Sequence, residues 1–127
     1  MWVNYNPNPI ARRVIDCSVR ALCAVTGRDW EDIYWQLCAL GGQMCNMPSG
    51  NETWGAFLRR DGWRRYAVPN TCPECYTVRD FARDHPAGRY VVCTNGHALA
   101  VIEGDVWDTW DSSDEVVLFY WEKEDER

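Results

Sequence analysis

The sequence has no apolar run approaching the ~18 residues of a membrane span, so no membrane partner is expected. It has no dense cluster of lysine and arginine either. Thirteen basic residues stand against 19 acidic ones, for a net charge of -6. Nucleic-acid binding needs grouped cations to neutralise phosphates, and this balance argues against it. The opening stretch, Met1 to Pro9, lacks the basic-then-apolar layout of a secretory leader. Without a leader, the seven cysteines point to free thiols in a reducing, cytoplasmic setting. Seven is also odd, which suits a complete disulfide framework poorly. Internal repeats and low-complexity stretches are missing. Histidine is scarce: there are two, at His85 and His97.

What is present is apolar and aromatic. The 127 residues are 46% hydrophobic and include eight tryptophans. That is enough to build a core for a single domain spanning 1–127. Asn4 to Pro9 reads Asn-Tyr-Asn-Pro-Asn-Pro, so residues 1–9 form an extended opening segment. Asp16 is the expected N-cap of a first helix that carries Cys17 in its first turn and stops at Gly27. Val19, Leu22 and Cys23 make its apolar face. A second helix starts after Asp29, with Asp32 resembling the partner in a capping box, and is expected to end at Gly41-Gly42. A third covers about 52–61 with Trp54, Phe57 and Leu58 inward. Beyond Trp63 the texture changes to short strands. These are expected at 65–68, 89–94, 97–102, 106–110 and 116–121, with a short helix capped by Thr77 between the first two. Helices first and antiparallel strands second read as α+β. The run at 122–127 is expected to be a solvated acidic tail.

Two segments carry candidate chemistry. Asp16-Cys17-Ser18 places a thiol where helix amides point outward and favour an anion. Asn95-Gly96-His97-Ala98 places an imidazole at the head of an apolar strand. A thiol acts as a nucleophile only as thiolate, so it needs an adjacent base, and the base needs an orienting group. Most free cysteines are simply small buried hydrophobes, and His97 read plainly is a strand residue bonded to backbone. Register decides which acid comes near. A two-residue turn at Glu103-Gly104 makes paired residue numbers sum to 207, and Asp108 becomes the diagonal same-face neighbour of His97. A three-residue turn shifts the sum to 208 and brings Asp111 opposite His97. Asp111 is therefore the alternative acid, with turn chemistry in Asp111-Ser112-Ser113-Asp114 the plainer reading.

Asp16-Cys17-Ser18, Gly96-His97 and Gly104-Asp105-Val106-Trp107-Asp108-Thr109-Trp110-Asp111 together resemble the papain-like fold. The nearest likeness is to the small bacterial and phage proteins called peptidase C39-like. The resemblance implies helices packed on a C-terminal antiparallel sheet and a cysteine hydrolase: a peptidase, isopeptidase or amidase. It makes Cys17 the nucleophile, His97 the general base and acid, and Asp108 the orienting residue. It implies a peptide or protein substrate and no cofactor. Such proteases usually carry a glutamine shortly before the cysteine to complete the oxyanion hole. Here Ala11 to Asp16 contains none, which leaves Asn8 and Asn6 as candidate amide donors. The alternative function is a catalytically inactive papain-like binding protein, for instance a phage factor that blocks a host protein.

Cys72-Pro73-Glu74-Cys75 is a separate short motif. It suits a zinc site only with two further ligands, for which Cys38, Cys45, Cys93 and His85 are available. It also suits a redox pair or a reduced turn. Trp107 and Trp110 read as core, or as one wall of a peptide groove.

Overall fold

A computed structural model describes residues 1–123. In chain order the elements are β1 (Trp2–Asn4), α1 (Cys17–Thr26), α2 (Trp30–Met44), α3 (Asn51–Arg60), β2 (Trp63–Ala67), α4 (Val78–Asp84), β3 (Arg89–Thr94), β4 (His97–Ile102), β5 (Asp105–Asp108) and β6 (Phe119–Lys123). Among the described residues these make a mixed α+β fold: four helices and one sheet in the order β1-β5-β4-β3-β6-β2.

The sheet is not purely antiparallel, as the sequence had suggested. β1 pairs parallel with β5, Trp2 opposite Val106 and Asn4 opposite Asp108. The opening segment therefore contributes an edge strand. Three residues are too few to show alternation, and their partners lie about a hundred positions away, so no local signal marks them. β6 also differs. Val116 makes only an isolated bridge to Thr77, and the strand proper begins at Phe119. It runs between β3 and β2, with Glu122 opposite both Tyr90 and Arg64. Glu122 and Lys123 are thus paired strand residues and not the start of a solvated tail; 124–127 lie outside the described residues.

α2 passes through Gly41-Gly42 to Met44. Gly41 is buried because the returning chain crosses it. A Cβ there would sit 2.7 Å from the Asn46 carbonyl oxygen. Its small size serves a close approach and does not stop the helix. The capping box expected at Asp29 is absent, since Asp32 bonds Gln36 instead. A capping box forms at α4, where Thr77 and Asp80 exchange side-chain and backbone bonds.

The sheet is covered on both faces. On one side Leu22, Ile33, Leu37, Trp54 and Leu58 pack with Ala98, Ala100 and Val91. On the other, Val78 and Phe81 of α4 pack with Leu99, Val101 and Val92. Alternation along β4 explains the split. It places the small Ala98 and Ala100 beneath α1, which lets the helix settle close to the strand. His97 heads that strand, so this close packing brings the start of α1 to the histidine.

Cys72 and Cys75 are joined by a disulfide. The expectation of free thiols, or of a zinc pair, fails at these two positions. A turn closed by the Glu74 amide on the Thr71 carbonyl brings their Cα atoms to 4.2 Å, and neither sulfur is left for a metal. The other five cysteines are free. Among the described residues no group of three or more His, Cys, Asp or Glu is placed to hold a metal. None of the helices there is long and apolar enough to cross a membrane.

Candidate active site

Cys17 is the first residue of α1, and Asp16 takes the capping position without capping it. The Asp16 carboxylate turns inward instead. It accepts from Arg20 one turn on and from the Trp30 indole at 2.9 Å. The first-turn amides therefore keep no side-chain acceptor, and the positive end of the helix is left facing Cys17.

The β4–β5 hairpin turns through Glu103 and Gly104, both with positive φ (51° and 78°). This is the type I′ geometry whose twist suits a two-residue hairpin. Pairing runs Ala100 opposite Trp107 and Val101 opposite Val106, the 207 register. Two steps beyond Val106 along the same face, Asp108 reaches His97. Its Oδ2 lies 2.6 Å from His97 Nε2. The same ring interacts with the Cys17 thiol, and both line one hollow. Sulfur, imidazole and carboxylate thus form one line from α1 through β4 to the end of β5.

Asp108 is 1% exposed, and an isolated carboxylate there would be strongly disfavoured. Four donors satisfy it. Besides His97, Ser112 Oγ donates at 2.7 Å, the Thr109 amide at 2.8 Å, and Arg20 Nη2 at 3.1 Å. Arg20, itself buried, bridges Asp16 and Asp108 and so ties the start of α1 to the acid. From sequence alone Arg20, one turn from Cys17, offers only a general positive potential, and Ser112 only turn chemistry. The Asp16–Arg20 spacing of four was the one available hint.

The site's titration follows from this wiring. Burial raises the Cys17 thiol, but the hydrogen bonds from His97 and the Ala98 backbone, with the charges of His97 and Arg20, outweigh it. The thiol lies below its ordinary value. Burial pulls His97 down, yet the bonds to Asp108 and Cys17 prevail and raise it to about 9. Burial likewise pushes Asp108 up, and its bonds from His97 and Ser112 bring it below the usual carboxylate range. These directions together favour a thiolate beside an imidazolium at neutral pH.

The remaining candidates lie elsewhere. Asp111 is exposed and takes the amide and hydroxyl of Ser113; it makes no bond to His97. Asn6 Nδ2 donates to the Arg12 carbonyl, and Asn8 Oδ1 accepts from the Ile10 and Arg12 amides. Both asparagines fold their own loop, and neither lines the hollow at Cys17. His85 is half-buried: it stacks on Phe81 at 3.8 Å and bonds the Phe81 carbonyl. Trp107 packs on Tyr5. Trp110 is 43% exposed and lies 5.2 Å from the His97 ring, so it flanks the site.

A hollow of about 240 Å³ opens at the sulfur, lined by Ile15, Cys17, Ser49, Asn51, Gly96 and His97 among others. A nucleophile, a proton carrier and an acid in line, beside a hollow, can perform acyl transfer. Compared with known proteins, the chain matches no family model, no curated protein and no solved structure.

Proposed function

We propose that this protein is a cysteine hydrolase of the papain-like kind, similar to the peptidase C39-like proteins, cleaving an amide, peptide or isopeptide bond. The observation that carries the reading is His97 held between the Cys17 thiol and the buried Asp108 carboxylate. In this mechanism the Cys17 thiolate adds to the substrate carbonyl carbon, and the carbonyl electron pair moves to oxygen. The His97 imidazolium gives its proton to the leaving nitrogen as the carbon–nitrogen bond breaks. A water then adds to the thioester, losing its proton to His97, and the carbon–sulfur bond breaks to release the acid. Asp108 keeps the ring oriented and stabilises its charged form throughout.

Labelling with iodoacetamide and with an E-64-type epoxide, mapped by mass spectrometry, tests this. Cys17 is expected to react first of all the cysteines at neutral pH. Faster labelling of Cys38 or Cys45 in the folded protein would refute the nucleophile assignment.

A binding protein without catalysis is the second reading, and one observation favours it. Ile15, which lines the hollow, is fully exposed, and an exposed apolar side chain at a site suits protein contacts. Retained biological effect in a Cys17→Ala variant would select this reading.

A further inference from the structure

We propose that Asn51 supplies the side-chain amide of the oxyanion hole, donating to the carbonyl oxygen of a substrate attacked by Cys17. This rests on the hydrolase reading above and names a residue outside the Cys17–His97–Asp108 line. A developing oxyanion is stabilised by hydrogen-bond donors that can reach the oxygen. α1 offers its first-turn amides. The second donor must come from another wall of the hollow.

That wall is the start of α3. Ser49 and Asn51 line the hollow together with Gly96 and His97. Asn51 is the only side-chain amide in this lining. Of the rest, Ile15, Trp54 and Ala98 offer apolar surface, and Ser18 and Ser49 carry hydroxyls. The Asn51 amide makes no hydrogen bond to any described residue. Gly50, as N-cap, gives α3 no side-chain cap. The asparagines of the opening segment are in the opposite position. Their side chains bond Arg12 and Ile10 around their own turn, away from the hollow. In the addition step the sulfur–carbon bond forms, the carbonyl pair becomes an oxyanion, and an Asn51 Nδ2 hydrogen meets it. Asn51 neither gains nor loses a proton.

Two probes separate this assignment from the hydrolase reading. Iodoacetamide alkylates a thiolate by displacement and forms no oxyanion. The peptide aldehyde acetyl-leucyl-leucyl-norleucinal forms a hemithioacetal whose oxygen occupies the hole. Asn51 is exposed at a helix start, so Asn51→Ala is expected to fold with an unchanged melting temperature. Its iodoacetamide rate at Cys17 should stay within about twofold of wild type, while aldehyde affinity falls about 10²-fold or more. Asn51→Asp should lose at least as much, and Asn51→Gln should recover part. Equal aldehyde affinity in wild type and Asn51→Ala overturns the assignment and leaves the hydrolase reading standing. So does an aldehyde that fails to bind wild type while iodoacetamide labels Cys17. A wild-type Cys17 inert to both probes removes the hydrolase reading, and this one with it.

Discussion

Cys17 and Cys23 lie within two turns of each other on the same helix, and their surroundings drive them apart. Cys23 sits in the apolar middle of α1. Burial, then the carboxylates of Asp16, Asp29 and Asp32, push its thiol up to about 12. Cys17 is buried less completely, faces an imidazole and a backbone amide, and goes down. Asp16 bears on both ends of α1. Near Cys17 its charge is balanced by Arg20, whereas at Cys23 it adds to those of Asp29 and Asp32. A thiol's chemistry is thus set by its place on the helix and by the donors around it. The same residue type packs a core in one turn and faces a base in another.

The largest expected effect comes from breaking that difference at His97. In wild type, alkylation of Cys17 should extend to lower pH than that of an ordinary thiol, because its thiol is lowered, while Cys23 stays unreactive. The rates at pH 6 are expected to differ by more than about 10²-fold. His97→Ala removes the imidazolium and leaves the burial, so the Cys17 rate at pH 6 should drop about 10²-fold and recover only in alkali. An unchanged profile would mean that the helix start alone activates the thiol. The histidine also sets a stability window. Its raised pKa gives stabilisation that is full below about 6.5, the unfolded value, and is lost as pH rises through about 9. The gap in melting temperature between wild type and His97→Gln should narrow across that interval.

Much of this site was legible because its parts are local. The start of α1, the Glu103-Gly104 turn and the pairing of Asp108 with His97 each depend on a few neighbouring residues. What stayed hidden depends on distant pairing. β1 finds β5 across the length of the chain, Arg20 reaches Asp108 across 88 positions, and Asn51 joins the hollow only once α3 is packed. The Cys72–Cys75 bond was missed for another reason. The spacing was visible, but the choice among disulfide, zinc and free thiols turns on whether other ligands converge, and that is tertiary information.

A second comparison, between Asp108 and Asp111, gives the next largest effect. They are three positions apart, one buried under four donors and the other exposed on its own serine turn. Asp108→Ala leaves His97 unheld and Arg20 with one carboxylate in place of two. Losing one partner of a buried ionic network costs about 3–5 kcal/mol, and the expected readout is a large fall in melting temperature at pH 7. The sign follows from the lowered carboxylate. Its stabilisation is present above the ordinary value of 3.8 and lost as pH falls through the still lower folded value. Wild type and variant should therefore converge in strong acid. Asp111→Ala should change neither melting nor labelling; a loss of Cys17 reactivity in that variant would return Asp111 to the site.

The smallest effect separates the two thiols by serine substitution. Cys23→Ser puts a hydroxyl into the apolar middle of α1, where the residue is 2% exposed. A buried hydroxyl without a good partner costs about 1–3 kcal/mol. Cys17→Ser puts the same group at a helix start beside a hydrogen-bonding ring. No large apolar group is lost there, so stability should move by less than about 1 kcal/mol. Labelling at that position should nevertheless vanish, and any hydrolysis with it, because serine in a site tuned for thiolate is a poor nucleophile. Thermal melts of both variants, read beside an activity or probe assay, decide. If Cys17→Ser unfolds and Cys23→Ser does not, the roles of the two ends of α1 are reversed, and Cys17 is a packing residue. If neither unfolds and Cys17→Ser keeps its full biological effect, the line from sulfur to Asp108 is structural, and the exposed rim at Ile15 becomes the surface to test.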